Sequence, residues 1–232
     1  MKISEIFFSI QGEGIYMGLP SIFVRLYGCN LDCSWCDTGY ARGSRESSGI
    51  VEHQKSKTED QLSEENGYIE MSLAEVLEQL GAYPCLRVCI TGGEPLSNSN
   101  LNTLITALLQ RNYRVLVETN GSLSVHRLVK LPLSVAMDIK TPSSGMMDKM
   151  NFRNITLLRK RDMLKFVIAN EEDFAYAKAI LQKSPSHARV IFTPEGGQKL
   201  RWLVEKVLEN GLNVRVLPQL HKIVFPEKNR GV

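Results

Sequence analysis

A chain of 232 residues with 43% hydrophobic content is long enough to bury a sizeable core and falls within the range of a single α/β domain. Its net charge of +3 is too slight a bias to imply nucleic acid or a membrane surface as partner, and no apolar stretch approaches the roughly 18 residues needed to cross a bilayer. Five cysteines, an odd number, argue against a disulfide framework, and Met1–Glu5 lacks a signal-peptide pattern, so a cytoplasmic location is expected.

The first element, Ile3–Ile10, is an apolar run carrying two phenylalanines and reads as a strand. Gln11-Gly12-Glu13-Gly14 follows as a polar turn whose glycines let backbone approach a ligand. Ser21–Tyr27 is the second strand, with Arg25 among Phe23, Val24 and Leu26. Such a charge points either to solvent or into a polar cavity, and alternation alone leaves both open.

Gly28–Tyr40 then sets Cys29, Cys33 and Cys36 in a C-x3-C-x2-C spacing. Thiolates this close can turn inward on one loop and grip a soft metal or a cluster. A structural zinc site closes with four ligands, and so does an ordinary iron–sulfur cluster. Cys85 and Cys89 lie far downstream and read as small hydrophobes packed near a strand. Three ligands without a fourth suggest a cluster with one iron left open, the mark of a catalytic site.

Residues 39–67 are rich in Ser, Glu, Lys and Gly and read as a polar surface insertion, with His53 a solvated residue of it. From Met71 a regular alternation begins. Ser72 caps a helix, with Glu75 at capping-box spacing and Leu73, Val76, Leu77 and Leu80 on one face. Strands are expected at Leu86–Ile90, Val115–Val117, Ser134–Ile139, Met163–Ile168, Arg189–Phe192 and Asn213–Val216, and helices at Leu101–Gln110, Glu171–Leu181 and Leu200–Glu209. This predicts an α/β fold: a partial, open βα barrel of about six parallel strands, with right-handed crossovers. The cysteine loop, Thr91–Pro95, Glu118–Gly121, Asp138–Lys140 and Thr193–Gly197 all fall at strand ends, where sites in such sheets gather. In Thr91-Gly92-Gly93-Glu94-Pro95 the paired glycines would bare backbone to a ligand, and Glu94 could accept from an ammonium group. Asp138 and Lys140 share one face of their strand. His126, His187 and His221 have no spacing that demands a role and read as structural or solvent-facing.

The C-x3-C-x2-C loop resembles that of the radical S-adenosylmethionine (SAM) superfamily, which holds a [4Fe–4S] cluster whose unique iron is chelated by SAM. Ile10–Gly14, Phe23-Val24-Arg25, Cys36-Asp37-Thr38 and Leu217–Lys222 narrow the resemblance to the 7-carboxy-7-deazaguanine synthase family, over nearly the whole chain. It implies a single radical SAM domain over 1–232 and the ring contraction of 6-carboxy-5,6,7,8-tetrahydropterin to 7-carboxy-7-deazaguanine with loss of ammonia, in queuosine-type deazapurine biosynthesis. Ile10, Gln11, Gly12, Arg25, Thr91 and Val232 would meet the substrate. Trp35, Cys36, Asp37, Gly93, Asp138, Ile139, Lys140, Thr193, Pro194, Glu195 and Gly196 would meet SAM. Cys29, Cys33 and Cys36 would hold the cluster, and Thr38 would hold Mg²⁺. The resemblance further implies an electron donor such as flavodoxin or ferredoxin, a homodimer, and neither nucleic acid nor membrane as partner. A glycyl-radical activating enzyme shares the cysteine spacing and the Asp-x-Lys strand, but Gln11–Gly14 and Arg25 speak against it. A zinc or RNA-binding module would need a fourth ligand or more clustered basic residues than Lys222, Lys228 and Arg230.

Overall fold

The computed structural model describes residues 1–43, 67–197, 199–228 and 230–231. Most of the expected insertion, with His53, and the terminal Val232 lie outside the described residues.

Among the described residues, one sheet of nine strands runs through the molecule. In chain order these are β1 (Lys2–Ile10), β2 (Pro20–Leu26), β3 (Ile69–Glu70), β4 (Arg87–Gly92), β5 (Arg114–Thr119), β6 (Ser134–Ile139), β7 (Met163–Ile168), β8 (Arg189–Pro194) and β9 (Arg215–Val216). The helices are α1 (Leu73–Gly81), α2 (Leu101–Gln110), α3 (Glu171–Lys183), α4 (Leu200–Glu209) and α5 (Leu220–Val224). Spatial order is β3-β1-β2-β4-β5-β6-β7-β8-β9. From β2 onward all neighbours are parallel, while β1 pairs antiparallel with both β2 and β3. The two ends of this order do not pair, so the barrel is open. The parallel strands number seven, against about six expected, because β2 joins them through a crossover from the antiparallel start.

The sheet separates two apolar layers by the period of two that a strand imposes. Ile22, Val24, Val88, Ile90, Val115, Val117, Val135, Met137, Leu164 and Phe166 point to the helices and form the sheet's side of the large core. The alternate residues Phe23, Cys89, Leu116, Ala136, Met163 and Ile191 form a second, smaller cluster on the inner face. Strands buried on both faces read as continuous apolar runs, which is why β2, β4, β5 and β7 were legible. The capping box at Ser72 and Glu75 is formed in both directions. β3, too short for periodicity, and α5, with no buried residue of its own, gave no sequence signal.

Candidate active site

Moving two residues toward the carboxyl end from each inner apolar residue reaches a polar one on the same face. Phe23 gives Arg25, Cys89 gives Thr91, Leu116 gives Glu118, Ala136 gives Asp138, Met163 gives Lys165, and Ile191 gives Thr193. The inner face is therefore an apolar floor carrying a polar tier. Above the tier lies a cleft of ≈ 510 Å³, into which the first five polar residues open together with all three loop cysteines.

The tier is bonded internally. Glu118 accepts from Gln11 Nε2 at 3.1 Å and from Thr91 Oγ1 at 2.9 Å. Lys165 Nζ lies 2.5 Å from Glu13 Oε2 and 3.3 Å from Asp138 Oδ1. Lys140 Nζ donates to Asp138 Oδ2 at 2.9 Å and lies 5.3 Å from the centre of the Trp35 ring. Gln219 Nε2 donates to Glu13 Oε1 at 2.8 Å, tying the segment before α5 to the Gln11–Gly14 turn. Burial alone would raise the Glu13 carboxyl, but the Lys165 ammonium and the Gln219 amide outweigh it and hold the group down at about 2. Asp138 Oδ1 and Gln219 Oε1 are buried without a hydrogen bond among the described residues.

Arg25 is buried and opens on the cleft. Its Nε donates to Glu5 Oε1 at 2.6 Å. The cavity alternative left open by the alternation of β2 is the one realised. Of the other expected substrate residues, Ile10, Gln11, Gly12 and Thr91 also line the cleft. Of the expected SAM residues, Trp35, Cys36, Asp37, Gly93, Asp138, Lys140, Glu195 and Gly196 do so. Ile139 instead turns its side chain into the large core, Thr193 is buried with its hydroxyl unpartnered among the described residues, and Pro194 is buried.

The cysteine loop is held from three sides. Cys29 N–H donates to Arg42 O at 2.9 Å, and Ser34 N–H to Ser144 O at 3.0 Å. Asn120 Nδ2 donates to Asn30 Oδ1 at 2.9 Å. A Cβ at Gly93 would collide with the Gly28 carbonyl, and one at Gly92 with the Leu26 backbone. The paired glycines thus admit the cysteine loop itself, backbone against backbone, with Gly93 N–H to Leu26 O at 3.0 Å and Glu94 N–H to Gly28 O at 2.8 Å. Glu94 departs from expectation. It is buried and accepts from Thr119 Oγ1, Leu96 N–H and Asn120 N–H, so its carboxylate braces the strand ends and faces no ligand.

Burial pushes the Cys29 and Cys33 thiols up, and Cys36 is exposed. All three open on one cleft, yet among the described residues no three His, Cys, Asp or Glu side chains converge on a single ion. Cys85 and Cys89 sit elsewhere: Cys85 by the Pro20 carbonyl, and Cys89 in the apolar floor with Gln11 Nε2 at 3.5 Å. Thr38 opens on the cleft, and its hydroxyl has Cys36 Sγ at 3.8 Å.

Of the tier residues, Lys165 escaped the sequence reading, and Glu118 was placed at a site-bearing strand end but given no role. The signal that found Arg25, a charge inside an apolar strand, was equally present at Lys165 between Leu164 and Phe166. His221 also lines the cleft, against the reading of it as structural or solvent-facing, and its ring packs so closely on Gly12 that a Cβ there would overlap it.

The model of the radical SAM superfamily matches residues 23–169. The 7-carboxy-7-deazaguanine synthase of Thermoplasma acidophilum is 34% identical over 226 residues, spanning 97% of each chain. The enzyme of that name from Chlorobaculum tepidum is 37% identical over 238 residues, covering 100% of this chain and 97% of its own. The crystal structure of QueE from Escherichia coli superposes with a TM-score of 0.69 at 21% identity, covering 95% of this chain and 94% of that one, a likeness of fold. Among the described residues no helix is long and apolar enough to cross a membrane. By matched extent and identity, the chain is an enzyme of the radical SAM superfamily and belongs to the 7-carboxy-7-deazaguanine synthase family.

Proposed function

We propose that this enzyme contracts 6-carboxy-5,6,7,8-tetrahydropterin to 7-carboxy-7-deazaguanine with release of ammonia. The observation that carries the reading is the polar tier sharing one cleft with the three loop cysteines, with the Arg25 guanidinium opening into it. A planar fork suits a carboxylate. The Gln11–Glu118–Thr91 cluster supplies both donors and acceptors for the amide edge of a pterin. Ile10 and Gly12 flank that cluster, and Val232 would join it from the C-terminus.

On the other side of the cleft, Trp35, Cys36, Asp37, Gly93, Asp138, Lys140, Glu195 and Gly196 would receive SAM, with Ile139, Thr193 and Pro194 acting through backbone. Cys29, Cys33 and Cys36 would hold the cluster. When bound, the cluster and SAM supply hydrogen-atom abstraction. The chain's share is placement and exclusion of water. Lys165, fixed between Glu13 and Asp138, keeps the substrate turn and the SAM strand at a set separation. The Lys140 ammonium, raised by Asp138 against the opposing effect of burial, stays protonated and can meet a carboxylate.

Mg²⁺ would bind at Thr38. One hydroxyl is a poor magnesium site alone, so substrate oxygens and water would complete its shell. A flavodoxin- or ferredoxin-type donor would reduce the cluster, and a homodimer is the expected assembly. The continuous sheet supports one radical SAM domain with an insertion at 39–67.

Anaerobically reconstituted protein, incubated with SAM, a reductant, Mg²⁺ and the carboxytetrahydropterin, should yield the deazaguanine and ammonia by mass spectrometry. SAM cleavage with no pterin turnover would overturn the reading and favour a glycyl-radical activating enzyme.

A further inference from the structure

One carboxylate beside the cleft has no part in the roles above. Glu5 lies on β1 directly opposite Arg25 in the antiparallel register. Its Oε1 accepts from Arg25 Nε at 2.6 Å and from the Tyr40 hydroxyl at 2.6 Å, and its Oε2 accepts from the Gly231 N–H at 3.1 Å. The Arg25 and Glu5 side chains are only 10% and 14% exposed. The Arg230 guanidinium lies 4.3 Å from the centre of the Tyr40 ring, so the C-terminal segment meets this cluster twice.

A guanidinium offers a carboxylate either the edge containing Nε or the edge formed by its two terminal nitrogens. Glu5 occupies Nε, and the terminal nitrogens make no hydrogen bond to any described residue. Because the group is planar, fixing Nε also fixes the direction of the opposite edge. Tyr40 closes the cysteine loop, and Gly231 stands next to the last residue. A single, largely shielded carboxylate thus gathers the second strand, the end of the cysteine loop and the C-terminal segment.

We infer that Glu5 is a positioning residue for substrate selection: it holds the Nε edge of Arg25, turns the terminal edge toward a carboxylate in the cleft, and registers the C-terminal segment, through Gly231, on the same arginine. The inference rests on the proposed role of Arg25 as the carboxylate-binding residue.

The test compares two ligands, 6-carboxytetrahydropterin and the same tetrahydropterin lacking the carboxylate. Equilibrium binding is measured anaerobically by calorimetry on the SAM-loaded holoenzyme. Wild type should prefer the carboxylated ligand. Glu5→Ala should lower that preference roughly tenfold or more, the scale on which a misplaced contact is felt, with SAM affinity and binding of the carboxylate-free ligand unchanged. A merely structural loss would weaken both ligands alike and would overturn the inference. Arg25→Ala should abolish the preference, and adding Glu5→Ala to it should cost nothing further, because the two act as one unit.

Glu5→Gln guards against a Glu5→Ala protein that does not fold. It keeps an acceptor for Nε but loses the charge assistance and turns a donor toward Gly231, so about a threefold loss of preference is expected. A wild-type preference retained in full by the folded Glu5 variants, while Arg25→Ala loses it, overturns the role of Glu5 alone. If wild type itself shows no preference, the reading of Arg25 falls, and the role of Glu5 with it.

Discussion

At the amino-terminal end of β6 and β7, Arg159 donates all five of its N–H groups to the chain itself: two to Asp162, and one each to the Val129, Leu131 and Leu133 carbonyls. Asp162 is fully buried and accepts besides from the Val135 and Arg159 backbone N–H groups. At the carboxyl end of the same sheet, Arg25 donates only through Nε, and Asp138 and Gln219 each leave an oxygen without a hydrogen bond among the described residues. Both ends set an arginine against a carboxylate. The first closes every valence and so fastens a turn, while the second leaves the terminal nitrogens of Arg25, which lines the cleft, without a hydrogen bond to any described residue, the form expected of a site that awaits a ligand. Buried charge by itself does not separate structure from function; unfinished hydrogen bonding does.

The comparison predicts that damage at the two ends separates cleanly. The largest effect belongs to the cysteine loop. Cys29→Ala, Cys33→Ala or Cys36→Ala should each abolish cluster absorbance and SAM cleavage while the thermal unfolding of the cluster-free protein changes little. Cys85→Ala and Cys89→Ala should keep the cluster. Loss of the cluster in either of the last two would mean the site extends beyond the loop.

At the opposite end, Asp162→Ala removes the carboxylate partner of the half-buried Arg159 guanidinium and frees two backbone donors. Arg159 is partly open to solvent and keeps its three carbonyl partners, so the cost should fall below the roughly 3–5 kcal/mol of a fully buried pair, and denaturant unfolding should still shift measurably. The fraction that remains folded should bind SAM as wild type does. Weakened SAM affinity at full folding would show that the brace reaches the site.

Much of this contrast was legible in the sequence. The strand ends were found because apolar runs stopped at Thr91, Glu118, Asp138 and Thr193, and the period of two then places those residues on one face. Arg25 stood out against Phe23, Val24 and Leu26. Lys165 carried the same signal, but its partners are far away in sequence: Asp138 meets it through the β6–β7 register, and Glu13 reaches it from the turn after β1. Glu94 misled because its three donors come from the next strand end and its own turn, pairings no spacing rule reveals. The short β3 and α5 are built by tertiary contact, where periodicity has nothing to count.

Glu13 sharpens the comparison through pH. Its carboxyl is displaced from 4.5 to about 2, which corresponds to on the order of 3 kcal/mol for this coupled pair. Because the folded-state value lies below the unfolded one, the ionised carboxylate stabilises the fold above about pH 4.5, and that contribution drains away as pH falls toward 2. Glu13→Gln should lack it. The stability gap between wild type and Glu13→Gln should therefore narrow across this acid range in denaturant titrations. A gap independent of pH would mean that Lys165 draws its stability from Asp138 instead.

The smallest effect is expected at Thr38, where the unfinished valence is a single hydroxyl. It stands at the start of the Gly39–Ala41 turn yet makes no side-chain capping bond, so the local structural use of a threonine here is absent. Among the described residues its hydroxyl has one hydrogen-bond partner, Cys36 Sγ at 3.8 Å, and Thr38 lines the cleft. Magnesium keeps several waters and shares its shell with ligand oxygens, so one threonine would tune the binding of the ion and not create it. Thr38→Ala should accordingly raise the Mg²⁺ concentration giving half-maximal activity severalfold and slow turnover, with cluster absorbance and SAM affinity intact. Thr38→Ser keeps the oxygen and should track wild type. Activity measured against Mg²⁺ for the three proteins separates these cases: superimposable curves would remove Thr38 from the metal's shell and leave its hydroxyl as a neighbour of the cluster loop alone.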